Sequence, residues 1–346
     1  MKKFGKSSDS IKKLKEDFFS NNETHLKKLE KQNNFYKQQP KRQFCKICNN
    51  VISNKNYFIS HDIEYSECNN CGHLNGLYED TKAFCEYIYG IGSGYANNYN
   101  AIDNEAYKLR TEKIYKPKFN FLIETLKAYN VDYKSLSLFD YGAGPGYFIN
   151  AAKKYGMKNV RGCEMSQDQI SISENFIGKG IIKHISEEDT NLLIKDLNTD
   201  ILSLIGVLEH LRKPLEFLEF FKYNKSINYL FISVPLLSTS VILESGTPSI
   251  MPRQLSGGHT HLFTESSLSY LEKKYDLEKI GEWWFGTDIM DIYRMLAVSS
   301  KKSSGDNKTL KKWMDNFEGI IDKLQLIIDQ EKMSSEVHML YRKKSK

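Results

Sequence analysis

Three sets of residues in this chain have types and spacings that can do chemistry. The first is Asp140-Tyr-Gly-Ala-Gly-Pro-Gly146, directly after the apolar run Leu136–Phe139. A strand that runs into Gly-x-Gly-x-Gly and then a helix makes a tight turn whose backbone a ligand can approach closely. The spacing is near that of a dinucleotide turn, but that fingerprint has a longer gap before its last glycine. An acid directly ahead of the first glycine fits the ammonium of an amino acid instead. The second set is Cys45-Lys-Ile-Cys48 and Cys68-Asn-Asn-Cys71, nineteen residues apart. Each Cys-x-x-Cys puts two thiolates on one side of a tight turn, and four close a tetrahedral shell, so a structural zinc ion is expected. His73 is near enough to be an alternative ligand, while Cys85 and Cys163 read as packing residues. The third set is His210, His259 and His261. Imidazoles are the side chains whose ordinary pKa suits proton removal near neutral pH. His210 ranks first because it follows a strand end. Anchoring of the pocket, for His210, and loop-to-core hydrogen bonds, for the other two, are the competing roles.

The elements that must position these residues alternate from Leu136 onward as strand and helix. Strand one leads into the glycine turn and is followed by a helix over Tyr147–Tyr155. Val160–Cys163 is strand two and ends at Glu164; Ser166 can cap the next helix. Gly180–Ile185, Ile201–Val207 and Tyr229–Val234 read as strands three to five, the fourth ending at Glu209-His210. In such sheets ligands bind beyond the carboxyl ends of the strands, and Glu164 stands where a carboxylate can accept ribose hydroxyls. Leu277–Phe285 reads as strand six and Ile289–Val298 as a helix. The 4-3 spacing from Leu310 to Ile328 fits a coiled-coil seam, a helix packed on its own domain, or a homodimer interface. Glu336–Arg342 is expected as the last strand, antiparallel beside strand five, with Leu296–Ser299 as the competing placement.

Taken together, Phe139-Asp-Tyr-Gly-Ala-Gly-Pro-Gly146, Gly162-Cys-Glu164, Val207-Leu-Glu-His-Leu-Arg-Lys-Pro214 and Phe231-Ile-Ser-Val-Pro235 resemble the successive motifs of class I S-adenosylmethionine (SAM)-dependent methyltransferases. His259-Thr-His261-Leu-Phe-Thr264 is similar to a segment after strand five in one large subfamily. The four-cysteine unit resembles that of bacterial sugar C-methyltransferase-like enzymes of surface-polysaccharide biosynthesis. The resemblance implies an α/β fold: a doubly wound, seven-stranded Rossmann-like methyltransferase sheet with a small N-terminal zinc ribbon. It implies that Asp140, Gly142, Ala143, Gly144, Gly146, Tyr147 and Phe148 hold the methionine end of the cofactor. Glu164 would take the ribose, Met165 the adenine, and Leu208 and Glu209 would complete the wall, with Ser186 or Glu187 near the adenine side.

Bulk properties bound the remainder. The 346 residues are 40% hydrophobic and 27% charged, the composition of a globular protein of roughly two domains. Neither an apolar membrane span nor a secretory signal is read, so a cytoplasmic location is expected. The net charge of +6 is concentrated in Met1–Lys46, with thirteen Lys/Arg against five Asp/Glu. A near-neutral body disfavours a nucleic-acid partner there. The chain divides into a basic, partly disordered tail (1–40), a zinc-binding domain (41–80), a helical cap or linker (81–130) and a methyltransferase domain (131–346) with a helical insertion over 289–332. Tyr- and Gly-rich Phe84–Asn100 suits a mobile segment over a ligand or ordinary packing between domains. Leu236–Phe263 suits an active-site cover. Ala101–Tyr129 reads helical, and Trp283, Trp284 and Asp288 suit a substrate pocket or the core. The expected function is SAM-dependent methyl transfer to a small, sugar-containing acceptor. The alternatives are an RNA methyltransferase and a non-catalytic SAM-binding module.

Overall fold

Continuous apolar strands such as Ile-Leu-Ser-Leu-Ile at 201–205 can be covered only on both faces, which calls for a parallel sheet between helical layers. The computed structural model, which describes residues 1–8, 20–53, 57–89, 103–255, 258–304 and 307–344, has that architecture. Its strands are β1 (Lys2–Phe4), β2 (Tyr57–Ser60), β3 (Ile63–Glu67), β4 (Leu74–Gly76), β5 (Ser137–Tyr141) and β6 (Asn159–Glu164). They continue with β7 (Ile182–His184), β8 (Ile201–Ile205), β9 (Tyr229–Pro235), β10 (His261–Leu262), β11 (Leu277–Phe285) and β12 (Glu336–Lys343). The main sheet runs β1-β11-β12-β9-β8-β5-β6-β7. Strands β5 to β9 are parallel, and β12 lies antiparallel between β9 and β11. The last strand is therefore inserted beside strand five as expected, and Leu296–Ser299 belongs to the helix Asp288–Ser304.

The strand order reverses between β5 and β8, and this opens a crevice at their carboxyl ends. Two apolar layers hold the sheet flat against its helices. One contains Leu202, Leu204, Phe217, Phe221, Ile232 and Trp284; the other contains Leu138, Phe148, Ile149, Ile201, Phe231 and Trp283. Each such side chain stabilises the fold by about 1.5–3 kcal/mol when fully buried. Both Trp283 and Trp284 are thus core residues, and Asp288 is buried too, accepting hydrogen bonds from Ser240 Oγ (2.8 Å) and Ser335 N (2.9 Å).

Several expectations change. The basic start is not a tail in its described residues: β1 pairs in parallel with β11 as an eighth, edge strand, and Asn22–Tyr36 is a helix whose Tyr36 packs into the cysteine unit. Pairing of Lys2–Phe4 with a strand 280 residues away leaves no local pattern to read. The helical reading of 101–129 becomes Asn104–Arg110, a π-helical turn at Thr111–Tyr115, and Lys116–Ala128. The heptad-like run breaks at Gly319-Ile320 into helices Lys308–Glu318 and Ile321–Gln330, where Ile320 N turns back to Phe317 O in place of the next α-helical bond. Phe317, Ile321, Leu324 and Ile328 then pack on Ile289 and Met290 of the same chain, so this run is an intrachain seam. The glycine-rich stretch 90–102 lies outside the described residues. No helix among the described residues is long and apolar enough to cross a membrane.

Candidate active site

The donor side is built from three neighbouring strand ends. Register places Asp140 of β5 beside Gly162 of β6 and Ser203 of β8. Gly142, Gly144 and Gly146 all have positive φ (67°, 56° and 80°), which glycine adopts without a side-chain penalty. A Cβ on Gly142 would stand 2.7 Å from Val207 Cγ2 of the next strand-end loop, so the turn is also a close approach of two loops. Behind it, Asp140 is 2% exposed and accepts a 2.6 Å hydrogen bond from Ser203 Oγ. Burial is the largest influence on its carboxyl and lifts its pKa from 3.8 to about 7, with Ser203 acting in the opposite sense. A cationic ligand would return that carboxyl to its ionised form.

Glu164 closes the other edge. One oxygen accepts from Gly144 N (2.8 Å); the other accepts from Met165 N (2.8 Å) and Ser166 N (3.0 Å). The carboxylate therefore ties the glycine turn to the start of the helix Gln167–Ile177, whose cap is Ser166. Met165 stands exposed beside it, whereas Tyr147, Phe148 and Leu208 are buried beneath the site, and Ala143 is 8% exposed. Glu187 is engaged by Arg212 (2.6 Å) and Ser186 by Asp189 (2.6 Å), so both residues sit in local surface contacts.

A second cluster beside it assembles from distant segments. After β8 the chain turns at Gly206 and makes one 3-10 turn, Leu208–His210, that projects Glu209 and His210. The ring of His210 stacks on that of His259 with centroids 5.1 Å apart, and its Nδ1 lies 2.8 Å from Tyr89 Oη. Glu209 is 3% exposed, and its Oε2 has no hydrogen-bond partner among the described residues. Burial, the first cause in each case, lifts Glu209 to about 8 and lowers His210 to about 3 and His259 to about 4. Both imidazoles are therefore neutral at physiological pH and present lone pairs. His261 does not join them. It is fully buried, pairs with Asn75 across β10 and β4, and places Nδ1 2.8 Å from His73 Nε2. That contact is of the kind expected for its competing role, a hydrogen bond from the loop to the core, and it also takes His73 away from the cysteines.

With this geometry in view, residues 110–281 match the family profile described as "Methyltransferase domain". That stretch of the chain is a methyltransferase domain. No curated protein matches the sequence. Among solved structures it is similar to a SAM-dependent methyltransferase from Archaeoglobus fulgidus, with 17% identity over 65% of this chain and 94% of that one and a TM-score of 0.38. It is also similar to magnesium protoporphyrin IX methyltransferase from Synechocystis PCC 6803, with 9% identity over 76% and 99% of the two chains and a TM-score of 0.45.

Against the methyltransferase domain sits the cysteine unit. Asn49 and Gly72, each following a knuckle, adopt positive φ (61° and 71°) and close their turns onto Cys45 O and Cys68 O. The four sulfurs lie within 4.8 Å of one another, and Ile47 N and Asn75 Nδ2 each point at Cys45 Sγ from 3.5 Å. This all-thiol donor set fits a zinc-sized tetrahedral ion. The unit is fused to the methyltransferase domain: β10 extends its sheet, Thr264 Oγ1 donates to Gly72 O (2.9 Å), and the cysteines share a core with Phe263 and Leu268. Leu236–Phe263 is held down in the same way, by the helix Thr239–Ser245 and by Arg253, which reaches Asp291 (2.5 Å) and Ser335 (2.6 Å).

Four participants were missed in the sequence. Ser203 is the lone polar residue in an apolar strand, a signal that could have found it. Lys118 (3.2 Å) and Ser233 (3.1 Å) meet at Glu336, whose charge acts on Glu209 while that of Lys118 acts on Asp140. No local pattern marks that trio.

Proposed function

We propose that this protein transfers the SAM methyl group to a hydroxyl or an acidic C–H of a small, sugar-containing acceptor such as a nucleotide-linked sugar or glycan precursor. The observation that carries the reading is the register of Asp140, the glycine turn and Glu164 on adjacent strand ends, one strand away from Glu209-His210. Asp140 would hold the ammonium of the cofactor, Gly142 and Gly144 would line its methionine end, and Glu164 would turn its carboxylate to the ribose, with Met165 on the adenine. When bound, the cofactor supplies a methyl group activated by sulfonium. The acceptor atom would take that methyl group, the electron pair of the broken bond remaining with the donor sulfur, and would release its proton to solvent. Glu209, His210 and His259 would line the acceptor side, where they orient the nucleophile. The acceptor class rests on the four-cysteine unit, which by its resemblance accompanies sugar methylation. That unit would hold a structural Zn2+ through Cys45, Cys48, Cys68 and Cys71.

Calorimetric titration with SAM tests the donor half: binding that Asp140→Ala abolishes is expected, and no binding by the wild-type chain would sink the reading. Labelled SAM with a panel of nucleotide sugars, and with tRNA and rRNA as controls, tests the acceptor half. Label passing to RNA alone would replace the sugar assignment.

A further inference from the structure

We propose that Glu209, His210 and His259 bind one divalent transition-metal ion on the acceptor side, through two imidazole nitrogens and one carboxylate. One ligand atom from each of the three lies within 4.8 Å of the other two, close enough for a single ion to bridge them with small side-chain adjustments. The Glu209 carboxylate is 3% exposed, its Oε2 is without a partner among the described residues, and its Oε1 lies 3.9 Å from His210 Nε2. A buried acceptor with no donor is costly unless a cation or donor fills the gap, so this atom points to an absent ligand.

The two rings are also held as ligands are held. His259 Nδ1 lies 2.7 Å from the carbonyl oxygen of Gln254, which can only accept, so Nδ1 carries the hydrogen and Nε2 the lone pair. Tyr89 Oη donates its one hydrogen to Gly258 O (3.2 Å) and therefore accepts from His210 Nδ1–H (2.8 Å), which again leaves the lone pair on Nε2. Outer hydrogen bonds that fix the tautomer in this way are the usual support of metal-ligating imidazoles. Two imidazoles and one carboxylate suit borderline divalent ions of the first transition row, and three protein ligands leave coordination positions open. Acceptor oxygens fit those positions. An ion there would orient a hydroxyl and lower its pKa, so the proton leaves to solvent as the methyl arrives. That role rests on the methyltransferase reading above, while the site itself rests on the three side chains.

The test uses the full chain with its cysteine site filled by Zn2+, titrated with Co2+ and followed by absorption and calorimetry. One further Co2+ per chain is expected, without the thiolate charge-transfer band that the cysteine site would give. Glu209→Gln and His259→Ala should each weaken that Co2+ by at least about tenfold, and Tyr89→Phe by less, with the far-ultraviolet circular dichroism spectrum and the Zn2+ content unchanged in all three as evidence of folding. Absence of that one Co2+ in the wild-type chain overturns the site, as does unchanged affinity in both ligand variants. SAM binding without a second ion would overturn this inference alone; a second ion without SAM binding would overturn the methyltransferase reading alone.

Discussion

The proposed donor and acceptor sides of the candidate site are built on opposite plans. Asp140, the glycine turn and Glu164 come from 25 consecutive residues and are fixed by one strand pairing, β5 on β6. The acceptor side draws Tyr89, Glu209, His210, Gln254, Gly258 and His259 from three separate segments, and its neighbour His261 is fastened to the cysteine unit. The difference teaches where change is tolerated. On the proposed reading the cofactor is the same for every acceptor, so a compact, local device would suffice, and an acceptor side assembled from loops and an added unit could be re-cut without disturbing it.

Stripping the cysteine site should separate the two sides most sharply. Structural zinc contributes on the order of 10 kcal/mol to such units. Chelation, or Cys68→Ser, is expected to open 41–80 to proteolysis and stop methyl transfer, while SAM affinity falls no more than about threefold, given that no cysteine ligand belongs to the donor side. A parallel loss of SAM affinity would show that the sides are one cooperative unit.

Gly142→Ala strikes the donor side alone. Positive φ costs a residue with a Cβ about 1–2 kcal/mol, and contact with Val207 adds to it, so SAM affinity should drop roughly 30-fold. An affinity within about twofold of wild type would remove the turn from the cofactor site.

Asp140→Asn should divide stability from binding. The folded pKa of about 7 lies above the ordinary 3.8, so the folded state holds the proton more tightly and the apo fold loses stability as pH rises from about 4 to about 7. Asn removes that penalty. At pH 8 the apo variant is expected to melt higher than wild type, by up to about 4 kcal/mol in stability, yet to bind SAM at least about tenfold more weakly. Wild-type SAM affinity should likewise decline below pH 7 as Asp140 takes up its proton. A flat profile from pH 6 to 8 in calorimetry would argue that the ammonium rests elsewhere.

The smallest effect on binding belongs to the acceptor side. His259→Ala should leave SAM affinity within about twofold while lowering methyl transfer by at least tenfold, a split between cofactor Kd and kcat that a structural loop residue would not produce.

How much of this was legible follows the same division. The glycine turn, Glu164 and Glu209-His210 could be read because each sits where a strand ends, and the strands announce themselves by apolar runs such as Leu136–Phe139 and Ile201–Ile205. For His261 two roles stay open in the sequence, because its partner, His73, is 188 residues away and its two-residue strand carries no period. The seam after Leu310 was half read: its apolar face was real, but Gly319-Ile320 folds it back onto Ile289 and Met290.

By itself the chain determined the class of sheet, the donor device and the four-thiol cluster, because each depends on neighbours within a turn or on hydrophobic period. Only tertiary structure decided that Lys2–Phe4 becomes an edge strand, that β10 leaves the methyltransferase domain to complete the sheet of the cysteine unit, and that Tyr89, Glu209, His210 and His259 converge. Those contacts join residues tens to hundreds of positions apart. Their closure entropy is repaid by burial of the whole core, not by any local preference that a sequence can display.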